Sequence, residues 1–295
     1  MSLVSIVGAL VLGGGMLVRK SPLMYETRAP GAQWADGPMK LVPTPQYESG
    51  KDDLLTTSAT HMALLHNSLI RGYNSIRLQV PHVRDEDKAD FVGYTRTWLR
   101  FIKSHHDDEE ELLFPEMRSM LSDPEVWHDV PEEHETLLSE LNKLDGYLGS
   151  LSNATALTPG ALLDIMDALH PTLEHHLHHE VSVMADMATH VKAPVRDSFE
   201  GAVASASLKA WGKNTVRKAG VTDVLPFFLL NADRTAEKGM WMNWPPIPGP
   251  IRWAMVNVVG AVHGGWWRFA SCDAHGRPRE LHALAAGGGD ARTEL

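Results

Sequence analysis

Between Asp52 and Ala193 the apolar residues fall into four successive segments with helical spacing, and this pattern constrains the fold more than anything else in the chain. The first predicted helix runs from Thr57 to Gln79 and is stopped by Pro81. The second runs from Asp85, placed to cap it, to about Met120. Pro131 sits where a first helical turn tolerates proline and opens a third helix ending at Leu148. Thr158 and Pro159 repeat that signature and open a fourth, ending near His190, inside which Pro171 should produce a kink or a break. Four long helices on short Pro/Gly/Asp-rich connections predict an all-α chain whose centre is an antiparallel four-helix bundle.

Histidine is the unusual residue, with 13 of 16 falling between His61 and His190. Positions three and four apart share a helix face, so the apolar stripe shows which histidines turn inward. On the second helix the stripe reads Phe91, Tyr94, Trp98, Phe101/Ile102, His105, Glu109, Leu112 and Glu116. His106 and Glu110 lie about 100° further round, in line with Leu99, Lys103 and Leu113, which suits a boundary. On the fourth helix Leu169, Leu173, His176, Leu177, Glu180, Met184 and Met187 form the stripe, while His175 and His179 share a polar face with Thr172, Ser182 and Asp186. His66 aligns with Leu69, Tyr73 and Ile76, and His134 with Leu137, Leu138, Leu141 and Leu148.

Burying four imidazoles and two carboxylates without partners costs several kcal/mol per uncompensated charge. A metal ion offsets that cost by coordination. The single cysteine, Cys272, can build neither a thiolate zinc site nor an intramolecular disulfide, so the donors are nitrogen and oxygen. Imidazole with carboxylate suits iron, manganese or zinc. Six donors do not saturate two octahedral ions, which leaves room for a bridging oxygen and an open position for dioxygen, peroxide or nitric oxide. A net charge of −10 argues against a nucleic-acid partner.

Around this centre the chain divides into four parts. Residues 1–20 are apolar up to Arg19 and Lys20, too short and too glycine-rich for a good membrane span yet a candidate anchor through residues 1–18. The Arg-Lys pair behind them favours a cytoplasmic body. Residues 21–51 form a Pro/Gly-rich arm, 52–193 the bundle, and 194–295 a C-terminal extension expected to pack on it. Five of the nine tryptophans lie in that extension between Trp241 and Trp267, where WMNWPPIPGPIRW is dense in proline. The acidic run Asp107 to Glu111 reads as a solvated helix face, with an electrostatic funnel for cations as its sharper alternative.

The residues from Thr57 to Met187 resemble a hemerythrin-like, or HHE cation-binding, domain. The resemblance rests on His66 in HNSLIRGYNSI, on HHDDEEELLFPEM from His105 to Met117, on His134 in PEEHETLLSEL, and on HLHHEV from His176 to Val181. The long form with a Trp/Pro-rich tail looks like the hemerythrin-like proteins of filamentous fungi. The resemblance implies a four-helix bundle around a non-haem di-iron centre bridged by carboxylate and oxygen. Its ligands would be His66, His105, Glu109, His134, His176 and Glu180, the six residues selected by the stripes. One departure stands out: where oxygen-carrying hemerythrins have a second histidine one turn after the third-helix ligand, this chain has Leu138. Glu110, His128, Glu133 or water could replace the lost donor.

Three functions follow as expectations. The first is non-haem iron binding that handles or senses oxygen or iron. The second is a di-iron redox enzyme reducing peroxide, nitric oxide or oxygen. The third is a membrane-associated interaction module with a structural metal. The missing nitrogen donor weakens reversible oxygen transport, and whether the chain is an enzyme stays open.

Overall fold

The computed structural model describes residues 34–127, 129–199, 201–206 and 220–287. The apolar segment 1–20, the first part of the arm expected at 21–51 (residues 21–33), and His128 lie outside these residues. Among the described residues the regular structure is helical, with an isolated bridge between Cys272 and Pro278 as the β-type contact. No helix among them is long and apolar enough to cross a membrane.

Helix α1 spans Leu54–Gln79 and starts three residues earlier than the apolar spacing suggests, because Asp53 accepts a hydrogen bond from the Thr56 N–H at 2.9 Å. A 3₁₀ turn over Asp85–Asp87 leads into α2, Lys88–Asp108, which passes through a π-helical turn, Glu109–Leu113, into α3, Phe114–Leu121. Asp85 is not the cap of α2. Asp87 stands at that position, and its carboxylate takes Arg84 and Arg268 instead of backbone N–H groups. Helix α4 is Val130–Ser150 and α5 is Pro159–Asp186, each with proline in its first turn. Helix α5 runs unbroken past Pro171. That ring and the carbonyl it deprives of a partner, Asp167, lie on an exposed face where water can bond, while Leu169, Leu173 and Leu177 hold the opposite face in the core.

Each of these four long helices touches two of the others: α1 packs on α2 and α5, and α4 packs on α2 and α5. The enclosed core holds Met62, Leu69, Tyr73, Trp98, Ile102, Leu137, Leu141, Leu169 and Leu173. Two large side chains of this core satisfy their polar tips across helix boundaries. The Trp98 indole donates to Leu69 O at 2.9 Å, and the Tyr73 hydroxyl donates to Met166 O at 2.6 Å.

The described part of the C-terminal extension lies against α1 and α2. Helix α6, Val224–Asn231, is buried along its whole length. Its Phe227 ring stands 4.8 Å from that of Tyr94. Close approach is possible because Gly72 has no side chain: a Cβ there would come within 2.5 Å of the Phe227 ring and 2.8 Å of Trp98. Further along, Ser75 and Gln79 both donate to Phe269 O. Arg71, buried on α1, ties the outlying segments together through Asp36 of the arm at 2.7 Å and Asp233 of the extension at 3.0 Å.

Candidate metal centre

The inward stripes of the four helices meet at one end of the core. Two groups of potential metal ligands form there, one of His66, His105, Glu109 and Glu180, the other of His106, Glu109, His134 and His176. Within each group the donor atoms lie within 4.8 Å of one another, and Glu109 belongs to both. All seven residues are at most 2 % exposed. The six residues expected from the sequence are therefore brought together, and His106 joins them.

In the first group His105 Nε2 stands 2.8 Å from Glu109 Oε1, and His66 Nε2 stands 3.3 Å from Glu180 Oε2. The two Nε2 atoms of His66 and His105 are 3.0 Å apart. In the second group the rings of His106, His134 and His176 surround a common point, with centroid separations of 4.6, 4.9 and 4.7 Å. Glu109 Oε2 lies 3.9 Å from His134 Nε2. One set of donors is two imidazoles and two carboxylates; the other is three imidazoles and a carboxylate.

The outer nitrogens of three histidines fix which inner nitrogen carries a lone pair. His66 Nδ1 faces Leu177 O at 2.8 Å, and a carbonyl can only accept, so in the neutral ring the proton sits on Nδ1 and the lone pair on Nε2. Carboxylates do the same elsewhere: Glu110 Oε1 lies 2.9 Å from His134 Nδ1, and Glu133 Oε2 lies 3.2 Å from His176 Nδ1. Metal-binding histidines are held this way, with the remote N–H given to a carboxylate or carbonyl. Glu110 and Glu133, weighed as replacement ligands, thus stand behind His134 and His176.

The electrostatics follow from burial. It pushes His105 and His106 well below the ordinary imidazole range, aided by neighbouring imidazoles, His66 for the first and His176 for the second. Burial and the His176 ring bring His134 down to about 4. Burial also raises Glu109, with the nearby Glu180 carboxylate reinforcing it. Burial alone would raise Glu180 too, yet the hydrogen bond to His66, together with the charge that His66, His176 and His105 carry when protonated, outweighs it and holds Glu180 at about 2. His105, His106 and His134, held neutral by burial, beside a Glu180 carboxylate held ionised form a donor set ready for a cation.

A test of fit comes from atoms left over. Both ring nitrogens of His106, and the Nε2 atoms of His134 and His176, are buried and make no hydrogen bond. Each such group costs about 1–3 kcal/mol, and a cation among them would satisfy one lone pair of every ring. The residues fit a metal; nothing in their geometry selects its identity.

Two details depart from the helical stripe. His106, assigned to a boundary, is 1 % exposed. Leu112 and Glu116, placed on the inward face, are not buried; Leu113, Phe114 and Met117 are. The π turn causes the second change. Its Phe114 N–H bonds to Glu109 O five residues back, so one extra residue is inserted and the buried face rotates. A clue to His106 was available, since its own row contains Leu99 and Leu113, both buried. The acidic run is split, with Asp107, Glu110 and Glu111 exposed and Asp108 and Glu109 buried.

No protein-family model matches the chain, and no solved structure matches it. A curated relative does. Over 258 residues the chain is 32% identical to the dimeric xanthone biosynthesis cluster protein R11 of Cryptosporiopsis sp. (strain 8999), an alignment covering 84% of this chain and 92% of that one. Nearly the whole of the relative is thus represented, and the chain belongs to the family of the dimeric xanthone biosynthesis cluster protein R11.

Proposed function

We propose that the chain is a hemerythrin-like metal protein, an antiparallel four-helix bundle that holds two iron ions in its two buried donor groups. It binds or senses dioxygen, or handles iron. The observation that carries this reading is the pair of groups sharing Glu109, with inward lone pairs set by Leu177 O, Glu110 and Glu133. The connections 80–87, 122–129 and 151–158 are short, which supports antiparallel neighbours. His106 supplies the nitrogen donor that Leu138 cannot, and Glu109 would bridge the ions. Iron bound there would supply an open coordination position for a small diatomic or peroxide ligand. The protein's part is to exclude water and orient the donors.

The test is reconstitution with ferrous iron under anaerobic conditions followed by exposure to air. Two irons per chain and an oxo-bridge charge-transfer band are expected; protein that retains no stoichiometric iron sinks the proposal.

A second reading, a redox enzyme acting on peroxide, nitric oxide or oxygen, draws on the unequal donor sets, two histidines against three. The relative's name attaches it to a biosynthetic cluster, and we carry that setting over as part of this reading. Turnover abolished by His105→Ala or Glu109→Ala would favour the enzyme, whereas binding without turnover returns the argument to the first reading.

A further inference from the structure

A third cluster of ligating side chains lies outside the buried centre. His175 and His179, one turn apart on α5, stack with ring centroids 5.4 Å apart and planes 17° from parallel. Glu133 reaches them from α4, its Oε1 standing 3.2 Å from His175 Nε2 and 2.7 Å from His179 Nδ1. The three donor atoms lie within 4.8 Å of one another, close enough for a cation with bonds of about 2.0–2.2 Å after small side-chain movements. His175 is 68% exposed, so water can complete the coordination.

The surroundings favour a cation. Shallow clefts on either side of the histidines carry Glu174, Asp129, Glu132 and Asp186 on their walls, and clustered negative charge raises the local cation concentration. Two imidazoles with one carboxylate favour the borderline first-row divalent ions over magnesium or calcium, which prefer oxygen alone. A neutral imidazole can move its proton to the other ring nitrogen, so both lone pairs can face the carboxylate without net proton release.

We propose that Glu133, His175 and His179 form a solvent-facing site for a first-row divalent cation of the zinc or cobalt type, separate from the buried centre. Its carboxylate is shared across the wall of the protein: Oε1 serves the surface site while Oε2 holds His176 Nδ1 at 3.2 Å. The site stands on its own residues and does not depend on whether the buried groups take iron.

The test is titration of metal-free, full-length protein with Co²⁺, followed by calorimetry and by visible absorption, with Zn²⁺ as competitor. The wild type should bind one equivalent more than the His175→Ala/His179→Ala double variant. Each single variant should weaken that equivalent at least tenfold. His82→Ala, another exposed histidine, should change nothing, and far-ultraviolet circular dichroism checks that each variant is folded. Equal stoichiometry in the wild type and the double variant overturns the surface site, whatever the buried groups do. A double variant that binds nothing while the wild type binds one equivalent upholds the surface site and removes the buried centre.

Discussion

At the scale of single residues, the tightest prediction concerns His106. Its imidazole completes the three-histidine group, so on the proposed di-iron reading His106→Gln should lower bound iron from two towards one per chain, measured by metal analysis after reconstitution. Glu110→Gln removes only the carboxylate behind His134, and should weaken metal binding by about 10–100-fold without removing a ligand. Histidine placement was legible in the sequence wherever a residue sat in the middle of an apolar stripe, as His66, His134 and His176 do. His106 was not, because Lys103 in its row looked like a water-facing neighbour. A long aliphatic stem can leave its charged end at the surface, and Lys103 pairs there with Asp145 at 3.0 Å. A pH effect belongs here too. His61, stacked on Trp244 with centroids 5.9 Å apart, is held at about 4 by burial and by the Arg196 charge. Its folded value lies below the unfolded one near 6.5, so the unfolded chain takes up the proton first. Stability should therefore fall as pH drops from 6.5 to 4 and level off below that. His61→Phe should flatten that slope by about 1–3 kcal/mol across the window, as read from urea midpoints at several pH values.

At the scale of elements, the π turn within the α2–α3 rod sets which face is wet. Leu113 is 1 % exposed and Leu112 is 40% exposed. Leu113→Ala should cost about 2–5 kcal/mol and Leu112→Ala less than about 0.5 kcal/mol, by chemical denaturation; the reverse order would restore the uninterrupted α-helical register. A period of 3.6 residues carries no mark of an inserted residue, which is why the helices could be read from the sequence while the face beyond Glu109 could not. Helix α5 shows the same limit in the other direction. Pro171 signals a break, but the cost of one lost bond on a wet face is small beside the row of leucines opposite. Between α1 and α6, Gly72→Ala should destabilise by about 1–3 kcal/mol through overpacking against Phe227 and Trp98, and Phe227→Leu should recover part of the loss.

At the scale of the whole molecule, Arg71 couples parts distant in sequence. Arg71→Leu leaves Asp233 buried without its cation and should cost about 3–5 kcal/mol, measured as a shift of the denaturant midpoint. The all-helical class was legible from periodicity alone. The seating of the extension against α1 and α2 was not, since short apolar pieces such as Val224–Asn231 have no polar face to orient them. Cys272 illustrates how complete that cover is, because burial pushes its thiol up to about 12. It should resist alkylation by iodoacetamide until the chain is unfolded.

Glu109 stands in both groups of donors, and this makes the two positions a single target for mutation. Changing any one histidine takes a donor from one position only. Changing Glu109 takes one from each, so a screen of the seven side chains should find six partial phenotypes and one that disarms the interior entirely.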